Sequence, residues 1–165
     1  MLQQIQFHVH EDERQQQRIE KSFALRIKEN YRLSMEGLER YIPTLANLVK
    51  SSDTPVSTLL CNKFSELNIV NFNRGQVLYG MHPESEVLAH LNAYLSISPT
   101  ILLPNQGGSN VSAFVSFGLG LGHHLSYIVK QNIYKHVIVY EPNVDYFICA
   151  ISAICLLYTS PSPRD

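Results

Sequence analysis

The chain has 165 residues, 45% of them apolar and 16% charged, with a formal net charge of -1. That balance leaves no basic excess to draw in nucleic acid or anionic lipid, so composition indicates neither partner. The start, Met1-Leu2-Gln3-Gln4-Ile5-Gln6, lacks the cationic and apolar regions of a signal peptide. The longest apolar run, Phe147 to Tyr158, falls short of the roughly 20 residues that cross a bilayer. Cys61, Cys149 and Cys155 show no CxxC spacing. They read as buried thiols of a reducing compartment, and a cytoplasmic location is expected.

From Glu11 to Asn30 the chain is charged and Gln-rich, yet Ile19, Phe23 and Ile27 recur every fourth residue. That spacing lays one apolar stripe along a helix. The stripe runs on through Met35, Leu38, Ile42, Leu45 and Leu48 or Val49. Pro43 interrupts it, because proline removes a helical hydrogen bond and clashes with the preceding turn; a kink or a fresh start is predicted there. Ser51 to Pro55 then ends the helical region. Two strand-like runs follow, Leu67 to Phe72 and Gln76 to Tyr79, joined by Asn73-Arg74-Gly75, a connection suited to a hairpin. A helix is predicted from Met81, with Pro83 early, Glu84 and Glu86 near its positive end, and Val87, Leu88, Leu91 and Leu95 buried. Thr100 to Leu103 reads as a strand, and Asn105 to Asn110 as a domain boundary.

The most informative stretch comes next. Ala113 to Phe117 is a compact apolar strand, Gly118-Leu119-Gly120-Leu121-Gly122 a glycine-rich turn, and His123 to Gln131 a helix burying Leu125, Ile128 and Val129. His136 to Tyr140 is a second strand with Glu141 at its end, and Pro142 begins another helix. This order predicts the βαβ unit that opens a Rossmann-like domain. Backbone N–H groups of such a turn can meet a phosphate or other anion. An acid about 20 residues further on is placed to bond ribose hydroxyls. The dinucleotide fingerprint itself is absent, since GxGxxG registered on Gly118 and Gly120 would need glycine where His123 stands. Adjacent helical residues point apart, so His123 and His124 are not expected to share a metal; one should cap the helix and the other be exposed. His8 and His10 are expected in an unanchored terminus, and no metal cluster or catalytic triad can be read from local spacing.

The sequence Phe117-Gly118-Leu119-Gly120-Leu121-Gly122-His123-His124, followed by Val137-Ile138-Val139-Tyr140-Glu141-Pro142-Asn143, resembles the opening of the central domain of bacterial motility accessory factors. Asn30 to Leu45, Leu67-Asn68-Ile69 and Leu78-Tyr79-Gly80 are similar to that family's N-terminal domain. The resemblance implies an α/β chain: a small α+β N-terminal domain over residues 1–105, then residues 106–154 as the truncated opening βαβ unit of a Rossmann-like, sialyltransferase-like domain. It implies transfer of a pseudaminic- or legionaminic-type sugar from a CMP-activated donor to Ser or Thr of flagellin, with no obligatory metal. Gly118, Gly120 and Gly122 would line the donor site and Glu141 would contact the nucleotide. The expected partners are therefore flagellin and a nucleotide-sugar, without nucleic acid or membrane.

Other readings share the local pattern. Class I methyltransferases also place an acid at the second strand end, against the ribose of S-adenosylmethionine. Pterin pyrophosphokinase-like proteins have a similar central domain, and the region up to about Pro104 could instead be a non-catalytic module docking flagellin. The ending Cys155 to Asp165 resembles one reading frame of a sequencing-library adapter. Natural sequence is therefore expected to end near Ile154, and the last helix to lack the sheet that would bury Ile148, Ile151 and Ile154. A fragment of this kind is expected to be inactive by itself.

Overall fold

Asp12 starts the long first-half helix, its carboxylate accepting the Arg14 amide at 2.8 Å in the manner of an N-cap. The computed structural model describes residues 3–52, 54–97, 113–131 and 134–154. In order these form α1 (Gln3–His8), α2 (Glu13–Tyr41), α3 (Pro43–Lys50), β1 (Ser57–Cys61), β2 (Leu67–Asn71), β3 (Gln76–Val77), α4 (Pro83–Ile97), β4 (Ala113–Phe117), α5 (His123–Gln131), β5 (His136–Tyr140) and α6 (Val144–Ala153). Pro43 occupies the first turn of α3, where its missing N–H has no helical partner to lose. The Ile19, Phe23 and Ile27 stripe of α2 packs against Cys61, Leu67 and Ile69 of the sheet. The predicted strands, the glycine turn between them and the helix at 123–131 are in place. The residues expected as a strand at 100–103, as a boundary at 105–110 and as an adapter-derived tail at 155–165 lie outside the described residues.

Strands β1, β2 and β3 form an antiparallel sheet, with Leu59 opposite Ile69 and Val70 opposite Val77. The hairpin between β2 and β3 turns at Gly75, whose φ of 61° costs glycine little. β1 was not legible. Its Ser-Thr-Leu-Leu-Cys run does not alternate, and pairing with β2 decides its state. β4 and β5 form a separate parallel pair joined through α5, with Ala113 opposite His136 and Phe117 opposite Tyr140.

The last helix corrects an expectation. It begins at Val144 behind an Asn143 cap, not at Pro142, and it is already covered, by α2 and α3 and by strands of both sheets. Ile151 is fully buried and packs with Met35, Ala46 and Val49. The final carbonyls of α6 cannot be satisfied within their own helix. Asn30 Nδ2 donates to Ser152 O at 3.2 Å and Ala153 O at 3.1 Å, and Ser34 Oγ donates to Ile151 O at 3.1 Å. At the other end, Asp145 Oδ2 accepts from Val56 N and Ser57 N at 2.8 and 2.9 Å, fixing the entry to β1. One core cluster joins Phe23, Cys61, Leu67 and Ile69 to Leu121, Cys149 and Ala153, spanning both sides of residue 105. Burial pushes the Cys61 thiol up to about 11 and Cys149 up to about 12.

The amino terminus also departs from expectation. His8 is buried, its carbonyl accepts the Lys63 amide at 2.7 Å, and its Nδ1 meets Gln4 O at 2.9 Å. Gln16 anchors the start of α2, donating to Cys61 O at 2.8 Å and accepting the His10 amide at 2.9 Å. No helix among the described residues is long and apolar enough to cross a membrane. Truncating Ile151 to alanine should destabilise the chain by about 3 kcal/mol, the usual scale for emptying a well-packed aliphatic site. Urea unfolding checks this: a loss below about 1 kcal/mol would show that α6 does not carry the shared core.

Candidate functional site

β4 and β5 run parallel, so their carboxyl ends lie together, and the glycine turn leaves the sheet there. A cleft of about 950 Å³ opens at this edge, between α4 and the strand ends. Its floor includes Gly118, Gly120 and Glu141; Tyr79, Tyr94 and Tyr140 are among its aromatic walls. A ligand crevice outside the carboxyl ends of parallel strands is where open α/β sheets bind small molecules.

The three glycines have different jobs. All have positive φ: 89° at Gly118, 52° at Gly120 and 78° at Gly122. Around Gly118 nothing lies within 4 Å of the place a Cβ would take, so this residue faces open space in the cleft. A Cβ on Gly120 would collide with the hydroxyl of Tyr79. Gly122 does not line the cleft; it sits beneath Ile154, whose Cδ1 would be 2.5 Å from an added Cβ. Its glycine serves close packing of turn and α6.

The turn's amides are largely satisfied from within the chain. Gly118 N donates to Tyr140 O at 2.8 Å, and Gly122 N to Leu119 O at 2.8 Å. Leu119 N donates to Glu141 Oε2 at 2.7 Å, while Glu141 Oε1 accepts from Asn143 N at 2.9 Å. Leu121 N donates to Tyr79 Oη at 3.3 Å. Glu141 is thus a staple between the turn and the start of α6. Tyr79 is itself clamped by buried Asn68, whose amide oxygen accepts Tyr79 N at 3.1 Å and whose nitrogen donates to Tyr79 O at 3.0 Å. Burial raises the phenol's pKa above its ordinary value, so Tyr79 stays neutral.

The histidine pair points two ways, as helical neighbours must, but neither ring is exposed as expected; both are half-buried. His123 lies beside Glu66 and Glu84, while His124 lines the cleft. Ser116 Oγ donates to Gly118 O at 3.0 Å, so the His124 Nε2 at 2.9 Å donates to Ser116 in turn. Burial, and then the neighbouring His123, hold the His124 pKa below its ordinary value; burial does the same for His123 against the opposing pull of the two glutamates. Among the described residues no three His, Cys, Asp or Glu side chains gather as a metal site would require. Tyr79, Ser116 and His124 were missed by sequence reasoning. His124 was noticed but had no visible partner, and Tyr79 reaches the turn only through the fold.

Residues 102–155 match the family described as the glycosyltransferase Maf N-terminal domain. The chain superposes on the solved Maf glycosyltransferase from Magnetospirillum magneticum AMB-1 with a TM-score of 0.62 at 21% identity. That match covers 80% of this chain and 25% of the solved one, so the chain spans a quarter of the other's length. Comparison with curated proteins gives no match. Both comparisons point to Maf glycosyltransferases, and the mixed architecture of helices and small sheets is the fold shared with the solved one.

Gly120→Ala should cost about 2–4 kcal/mol, from left-handed backbone strain plus overpacking against Tyr79. In a Tyr79→Phe background the cost should shrink by about 1 kcal/mol or more, because the colliding oxygen is gone. Chemical denaturation of the four proteins closes this cycle, and additive losses would mean that the two residues do not meet. For pH, the folded His124 resists protonation while the unfolded chain takes a proton near 6.5. The stability linked to this ring is therefore complete above that pH and is lost as pH falls below it. Unfolding midpoints of wild type and His124→Gln, compared from pH 7.5 to 5, should converge on acidification. Parallel curves would remove the assignment.

Proposed function

We propose that this chain belongs to the motility accessory factor family and forms part of a cytoplasmic glycosyltransferase acting on flagellin. In this reading the enzyme moves a pseudaminic- or legionaminic-type sugar from its CMP donor to Ser or Thr, in support of flagellum assembly. The observation that carries the reading is the cleft at the carboxyl ends of β4 and β5, onto which Gly118 opens and which Glu141 borders. Gly118, Gly120 and Glu141 are the donor-contacting residues of this proposal, with Gly122 supporting the turn from behind. Transfer to a hydroxyl further needs a base and stabilisation of positive charge on the sugar, and the rest of the parent enzyme would supply these. The family description assigns residues 102–155 to an N-terminal domain, and Leu121, Cys149 and Ala153 of that stretch share a core with α2 and the first sheet. The glycine-turn unit is accordingly proposed to work as an integral part of that N-terminal region.

A methyltransferase-type ligand is the second reading, favoured by the acid at the second strand end. Thermal unfolding of the purified chain with cytidine, CMP, ATP or S-adenosylmethionine distinguishes the two. The cytidine compounds should stabilise it by about 1.4 kcal/mol at ten times their Kd, with no shift from the adenine compounds. Stabilisation by S-adenosylmethionine alone would replace the glycosyltransferase site with the methyltransferase one.

A further inference from the structure

We infer that the cleft takes the uncharged nucleoside portion of its ligand, ribose and base, and turns phosphate away from the glycine turn. This rests on the nucleotide-sugar reading above and specifies which part of the ligand meets which residues.

A glycine turn binds phosphate by offering N–H groups that have no other partner, with a positive field behind them. The first condition fails at Leu119 and Leu121. The first amide is held by the Glu141 carboxylate at 2.7 Å and the second by the Tyr79 hydroxyl at 3.3 Å. A phosphate seeking Leu119 N–H would have to displace a carboxylate and then sit beside it, two like charges in contact range. Tyr79 is held at both ends: fully buried Asn68 fixes its backbone, and its ring packs against the core cluster of Phe23, Leu67 and Leu121. The cleft walls offer few compensating cations: the basic side chains among the described lining residues are His90, on α4, and His124. Among the described residues lining it there is no lysine or arginine, and His124 is held toward its neutral form by burial.

What the walls do offer suits a planar, hydroxylated, uncharged group. Tyr94 and Tyr140 are more than half exposed and flank the opening, presenting faces for a base to stack on. Glu141 Oε1 and Oε2 each accept one backbone N–H, and a carboxylate has further lone pairs with which to take ribose hydroxyls. Gly118 leaves open space beside it for the sugar ring to approach the backbone.

The test is a pair of affinities measured on the full chain by calorimetry, cytidine against CMP, with adenosine and S-adenosylmethionine as the second arm. CMP is expected to bind no more tightly than cytidine, within about threefold. Glu141→Gln and Tyr79→Phe, checked for retained fold by circular dichroism, should each move the ratio toward CMP by about fivefold or more. They do so by removing the repelling charge or by freeing Leu121 N–H. CMP binding more than about tenfold tighter than cytidine, with that preference unchanged in both variants, would overturn the inference and leave the nucleotide-sugar reading standing. If adenosine and S-adenosylmethionine bind and cytidine does not, nucleoside recognition stands and the donor assignment falls. If none of the four binds, the donor reading and this inference fail together.

Discussion

The last turn of α6 exposes carbonyl oxygens to the protein interior that no residue of its own helix can satisfy, and α2 supplies the missing donors. Asn30 and Ser34 reach the carbonyls of Ile151, Ser152 and Ala153, while Met35 packs on Ile151 beside them. An unpaired buried carbonyl costs about 1–3 kcal/mol, so these bonds hold α6 in one place along α2. That placement carries the rest. It puts Asp145 against the amides that open β1, sets Ile154 over Gly122, and fixes where the strand leading into α6 must end. Glu141 lies at that end, three residues before the helix.

The glycine turn is consequently held from three sides. Glu141 staples it to the start of α6, Ile154 presses on Gly122, and Tyr79 reaches it from beyond the β2–β3 hairpin. Each contact uses a different consequence of a missing side chain. At Gly122 it is packing, at Gly120 the approach of a phenol oxygen, and at Gly118 open space on the cleft. A turn whose amides are so committed is rigid before any ligand arrives, and rigidity of this kind lowers the ordering cost of binding. It also restricts which ligand chemistry can be accommodated, because an amide already paired with a carboxylate is a poor host for a second anion.

The polar groups behind the cleft follow the same logic. Asn68 is fully buried, and its amide group is consumed by the backbone of Ile69, Tyr79 and Gly80. Ser116 passes the position of the Gly118 carbonyl on to His124 through two hydrogen bonds. Buried polar groups persist when every member is satisfied. Tyr79, held by Asn68, then ties the hairpin of the first half to the turn of the second by accepting from Leu121 N.

Much of this was legible from the sequence, and for identifiable reasons. The four-residue recurrence of Ile19, Phe23 and Ile27, the proline at 43 and the glycines at 118, 120 and 122 are local constraints, because period, missing N–H and absent Cβ act within a few residues. The strand–turn–helix–strand–acid order gave the parallel pair for the same reason, and the resemblance carried on those residues points to the same Maf proteins that residues 102–155 match. Tertiary structure alone decided the state of β1, which depends on Leu67 to Asn71 as a partner, and the burial of His8, which depends on Lys63. It alone set α6 between α2 and the strands already present, with Cys149 and Ala153 against β1 and β2 and Ala150 against β5. It alone assigned Leu119 and Leu121 amides to Glu141 and Tyr79. Those pairings join groups about 20 and 40 residues apart, and an amide's partner at such separations is set by which surfaces pack together, which no local pattern records.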